Sequence, residues 1–119
     1  MVEEIRRHRR IEGPVFVEYR LLHGAHEHGI SPAVNISASG ACFGVLQQVT
    51  PQTPMELQLH VGRLGSDPVT VRGRVVWVRP SLRQASAFEV GFEFTHVNAR
   101  QIKRLIRRVY VYWRQVHRG

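Results

Sequence analysis

The sequence predicts a mainly β protein, a six-stranded antiparallel barrel followed by one C-terminal α-helix. Three observations predict it. Short runs alternate apolar with polar residues, and clusters of Gly, Pro and Ser separate them, the signature of half-buried strands. At Asn98 the apolar period changes from two to that of a helix. The chain has 119 residues, 43% of them apolar, which suits one core and one domain. Its parts read as an arginine-rich arm (1–13), a barrel (14–97) and an amphipathic basic helix (98–119).

The first dozen residues are polar and read as an exposed, flexible arm. Val15–Leu22 is β-branched and aromatic, with Val15, Val17 and Tyr19 on one phase, so it reads as a strand. His23–Ser31 reads as a loop rich in Gly and His. Ala33–Ser37 and Ala41–Leu46 flank the bend Ser37-Ala38-Ser39-Gly40 as two strands. Thr50–Pro54, with two prolines, breaks the chain. Met55, Leu57, Leu59 and Val61 then alternate with Glu56, Gln58 and His60. After a turn at Gly62–Pro68, Val69, Val71, Val75 and Trp77 share one phase, which favours core packing for Trp77. Pro80–Ala87 turns again, and Phe88, Val90, Phe92 and Phe94 form the last strand. Asn98-Ala-Arg-Gln101 has the form of a capping box. Ile102, Leu105, Ile106, Val109, Tyr112, Trp113 and Val116 follow as an apolar helical stripe.

Composition narrows the function. No apolar run reaches the roughly 18 residues of a membrane span. The N-terminal charges are followed by no apolar stretch of a secretory signal, so a cytoplasmic location is expected. A single cysteine, Cys42, excludes an intrachain disulfide framework and reads as a small buried residue. Seventeen Lys and Arg against nine Asp and Glu give a formal charge of +8, and all but Lys103 of the cations are Arg. An anionic partner follows, because guanidinium forks pair bidentately with phosphate and purine edges.

Two short patterns carry the chemistry. Arg6-Arg7-His8-Arg9-Arg10 places an Arg-x-x-x-Arg just before the first strand. Asn35-Ile36-Ser37-Ala38-Ser39-Gly40 places an Asn-x-Ser-x-x-Gly at a strand end. Guanidinium groups can take N7 and O6 of guanine and also clamp phosphate oxygens. Asn35 can hydrogen-bond the polar edge of the same base, and Ser37 offers a donor or an acceptor. Gly40 lets a ring or a phosphate approach the backbone. An anionic guanine nucleotide would use all of these groups. Each pattern also has a plain structural reading: a solvated charge run for the first, and a tight turn with positive φ at Asn or Gly for the second.

The two motifs in this order, with Val75-Val76-Trp77, Glu89-Val90-Gly91-Phe92-Glu93-Phe94 and a terminal helix downstream, resemble a PilZ domain, the bacterial receptor module for cyclic di-GMP. The likeness runs from Arg6 to about Val116 and implies a stand-alone PilZ-type barrel that binds cyclic di-GMP as a regulatory ligand without a further cofactor. It implies ligand contacts at Arg6, Arg7 and Arg10 in the first motif and at Asn35, Ser37 and Gly40 in the second. Arg9 and Trp77 are additional candidate contacts. Asn35 stands where Asp is also usual; an amide offers guanine one acceptor oxygen where a carboxylate offers two, so binding is expected to survive at lower affinity.

Other readings remain beside this one. A small basic barrel could bind nucleic acid nonspecifically, though exposed aromatics for base stacking are few. A PilZ-like scaffold could serve protein contacts alone. His23, His26, Glu27 and His28 carry metal-ligating groups, but on a loop without a rigid scaffold, and no metal is expected there. No spacing argues for a catalytic triad, and no enzyme is expected. The terminal helix has Arg100, Arg104 and Arg108 four apart, Lys103 and Arg107 likewise, and no acidic residue. Such pairs repel, and the early cations oppose the helix dipole. The plain reading is a solvated basic face supported by burial of the apolar stripe; the sharper expectation is that this face meets an acidic partner protein or a polyanion, with Arg104 and Arg108 as its test positions.

Overall fold

A computed structural model describes residues 15–23, 27–62, 67–82 and 86–116. The arm with Arg6, Arg7, Arg9 and Arg10 lies outside the described residues, as do His26 and the last three residues of the expected helix. Six strands follow in order: β1 (Val15–Leu21), β2 (His28–Ile36), β3 (Gly40–Val45), β4 (Pro54–Val61), β5 (Val69–Pro80) and β6 (Phe88–His96). One helix, α1 (Ala99–Val116), ends the described chain.

The strands close a barrel in the order β1-β2-β3-β6-β5-β4, with β4 paired back to β1 and every pairing antiparallel. Alternation explains which side chains fill it. Val15, Val17 and Tyr19 of β1, Met55, Leu57 and Leu59 of β4, and Val90 and Phe92 of β6 are all buried in one core. Tyr19 keeps a polar handle inside: its hydroxyl donates to Gln47 Oε1 at 2.6 Å and accepts the Leu46 amide at 3.1 Å. Burial pushes this phenol above its ordinary pKa.

Three local features differ from the expected pattern. β2 starts at His28, because Glu18, Tyr19 and Arg20 of β1 pair with Ile30, Gly29 and His28. The expected loop, which composition ended at Ser31, is therefore four residues shorter at its end, since pairing and not residue type sets the strand start. Near Val76 the register of β5 against β6 slips, so that Val75 pairs with Phe92 but Trp77 pairs with Gly91. That bulge reverses the phase: Val78 packs on the core and Trp77 does not. Trp77 is thus an outward residue, and the expectation of core packing is corrected.

The third difference lies in α1. Asn98 caps it as expected, its Oδ1 accepting the Gln101 amide at 3.1 Å. Ile102, Leu105 and Val109 are buried and join the barrel core, with Ile106 and Tyr110 partly buried against it. Tyr112 departs from the expected stripe and is 41% exposed. Among the described residues, Val109 is the last helix residue buried in the barrel core, and Val111 is 48% exposed.

Candidate ligand-binding face

The β2–β3 hairpin builds the second motif. Ser37 donates its amide to the Gly40 carbonyl at 2.9 Å, closing the turn. The Ser37 hydroxyl accepts the Ser39 amide at 3.3 Å, lies 3.2 Å from the Ser39 hydroxyl and donates to the Gly40 carbonyl at 3.4 Å. Ser37 is buried, so its hydroxyl shapes the turn from within. The Ser39 carbonyl accepts the Phe94 amide at 2.9 Å, which ties the turn to β6.

Gly40 is required for a reason different from positive φ. Among the described residues, φ is positive only at Gln52, Gly62 and Asp67, so neither Asn35 nor Gly40 needs the left-handed region. A Cβ at Gly40 would instead lie far inside contact distance of the Phe92 carbonyl oxygen. The neighbouring strand occupies the space, and glycine permits its approach.

Cross-strand register gathers the outward residues. Asn35 pairs with Cys42, Cys42 with Gly91, and Gly91 with Trp77, so these four form one row across β2, β3, β6 and β5. Directly paired residues share a face. Asn35 and Trp77 are therefore three strand spacings apart, roughly 14 Å along the sheet. Between them stand two small residues. The Trp77 indole lies over Gly91, where a Cβ would collide with the ring. On one side of this row, Gly40 pairs with Glu93 and Glu93 with Arg74; on the other, Gly44 pairs with Glu89 and Glu89 with Arg79.

The flanking charges are organised. The Arg79 guanidinium stands 4.8 Å from the Trp77 ring centroid, a cation–π distance. Arg79 Nε donates to Glu89 Oε1 at 2.8 Å, and its Nη2 also contacts that oxygen. This carboxylate raises the guanidinium pKa further above its ordinary value. Glu89 is buried, with its carboxylate paired to Arg79. Arg74 donates to Glu93 at 3.1 Å and to Gln52 Oε1 at 2.9 Å. Sequence reading singled out neither Arg74 nor Arg79. The signal for Arg79 was available: two residues apart on one strand, Trp77 and Arg79 share a face.

The PilZ domain family profile matches residues 4–111. The chain belongs to the PilZ domain family. Solved PilZ proteins share its fold. The PilZ domain of YcgR from Escherichia coli, solved with c-di-GMP, matches with TM-score 0.70 at 13% identity, over 92% of this chain and 94% of that one. The PilZ domain of CeSA from a cellulose-synthesizing bacterium gives TM-score 0.58 at 19% identity, over 86% of this chain and 95% of that one. The Bacillus subtilis inhibitor of motility (MotI/DgrA) gives TM-score 0.70 at 13% identity, over 94% of this PilZ chain but only 51% of its own length. This PilZ domain thus spans about half of that larger protein. No curated protein sequence matches the chain. Among the described residues, no helix is long and apolar enough to cross a membrane.

Proposed function

We propose that this PilZ domain binds cyclic di-GMP on the outer face of β2, β3, β6 and β5 and passes the bound state to a partner. The observation that carries this reading is the row Asn35–Cys42–Gly91–Trp77. It separates a base-edge hydrogen-bonding group from a planar stacking group by a span that a dinucleotide covers and a single base does not. Asn35 would read the guanine edge. Trp77 with Arg79 would supply the stacking plane. Ser37 and Gly40 act chiefly by building the turn that holds Asn35 in place.

Arg6, Arg7 and Arg10 complete the site in this proposal, with Arg9 as a further cation. The family match begins at residue 4 and so includes them, which supports the assignment. Their forks would grip the phosphates and the N7 and O6 positions of guanine. The ligand would be regulatory, no cofactor is required, and the domain would act in the cytoplasm of a bacterium as a receptor without catalysis of its own. Relay to a partner requires that the bound and free states differ in partner affinity.

Calorimetric titration tests the reading, with GTP and a short single-stranded DNA as controls. Cyclic di-GMP should bind the wild-type protein at micromolar Kd or tighter, about −8 kcal/mol. Binding should vanish in Arg6→Ala and weaken about tenfold in Asn35→Ala, the loss of one or two hydrogen bonds to a charged or desolvated group. Equal heat with GTP, or salt-sensitive binding of DNA with none of cyclic di-GMP, would overturn it.

A further inference from the structure

The second half of α1 and the end of β4 form an open groove of about 640 Å³, lined by Val61, Gly62, Arg107, Arg108, Val111, Tyr112 and Gln115. That volume falls within the roughly 300–1,000 Å³ of ordinary binding pockets. Gly62 has φ +83°, a left-handed turn that ends β4 at the groove. Val111 and Tyr112 are 48% and 41% exposed there, although they belong to a helix whose preceding apolar residues are buried.

Among the described residues, the charge that α1 brings to this groove is of one sign. Arg100, Lys103, Arg104, Arg107, Arg108 and Arg114 all lie on α1, and among the described residues none of them forms an ion pair. The helix itself holds no carboxylate. An apolar seat with two arginines in its lining, on an uncompensated basic helix, is complementary to an apolar side chain flanked by acidic ones.

We infer that this groove docks an acidic amphipathic segment of a partner protein, which inserts an apolar anchor beside Val111 and Tyr112 and pairs its carboxylates with Arg107 and Arg108. A protein fits better than a nucleic acid. Phosphate contacts would follow the cations along the helix and leave the apolar lining unused, and base stacking needs more exposed rings than Tyr112 provides. None of the groove's lining residues belongs to β2, β3, β6 or β5, so the inference stands whether or not that face binds cyclic di-GMP.

The test uses the full chain, isotopically labelled, and short synthetic peptides with Leu, Phe or Trp at helical spacing and Glu elsewhere. Polyglutamate and a single-stranded oligonucleotide are the comparison probes. At least one amphipathic peptide should bind and shift the amides of Val61, Gly62, Arg107, Val111 and Tyr112. Tyr112→Ala and Arg107→Glu should each weaken it about tenfold, as truncated anchors do, with cyclic di-GMP titration and the unfolding midpoint unchanged. Three results would overturn the inference: no groove shift with any peptide, equal affinity in Tyr112→Ala, or polyglutamate or oligonucleotide binding as tightly with shifts along the whole basic face.

Discussion

The barrel and the helix treat their arginines in opposite ways. Each described arginine of the barrel has a carboxylate: Arg20 and Arg72 share Glu56, Arg74 has Glu93, and Arg79 has Glu89. Among the described residues, none of the α1 cations has one. Antiparallel register brings residues from different strands side by side, so charges far apart in sequence can compensate one another. A terminal helix that buries one face has only its own sequence to compensate the other. Net charge of +8 is therefore concentrated, in part, on one accessible element. Charge held within the barrel contributes to structure; charge on the helix remains available to a partner.

The largest effect should come from the barrel face. Gly40→Ala would drive a Cβ into the Phe92 carbonyl and force β3 away from β6, and overpacking of this kind costs about 2 kcal/mol. Urea denaturation should show that loss, and cyclic di-GMP affinity should fall with it because the turn holding Asn35 moves. An unchanged midpoint would mean that the two strands are not in close approach.

A smaller effect distinguishes paired from unpaired charge by pH. Hydrogen bonds from Arg20 and Arg72 hold the Glu56 carboxyl below its ordinary value of 4.5. The unfolded chain then binds this proton more readily than the folded one. The stabilisation is present above pH 4.5 and disappears as pH falls through the lower folded value. It amounts to at most about 1 kcal/mol, since both arginines are half-exposed. Denaturation of wild type and Glu56→Gln should differ at pH 6 and converge in acid; a gap that persists in acid would assign the loss to packing.

The smallest effect has the opposite sign. Arg104→Gln relieves repulsion from Arg100 and Arg108 and should stabilise by a few tenths of a kcal/mol at low salt. Added salt should erase the gain. Arg72→Gln, which removes a partner of Glu56, should instead destabilise. If both substitutions moved the midpoint the same way, the contrast between barrel and helix would fail.

Much of this was legible in the chain. Alternating runs and the bend at Ser37–Gly40 located all six strands, though β2 starts earlier than expected; the change of period at Asn98 located the helix, and its cap formed through Asn98 as the motif implied. Asn35, Ser37 and Gly40 do converge at one hairpin. Their separate roles were not legible: Gly40 answers to a strand distant in sequence, and Ser37 turns inward to its own hairpin. Tyr112 fits the apolar stripe by spacing, but whether a helix position is covered depends on how far the barrel extends beneath it.

By itself the sequence determined the elements, the capped helix, the family and the inventory of basic groups and of the Asn-x-Ser-x-x-Gly motif, because periodicity, capping and motif spacing are local properties. Only the tertiary structure decided the direction of Trp77, the pairing of the barrel's arginines and the exposed groove beside α1. A single slip in register near Val76 rotates Trp77 from the core to the surface. Such a slip arises from pairing between strands, and residue spacing along one strand carries no record of it.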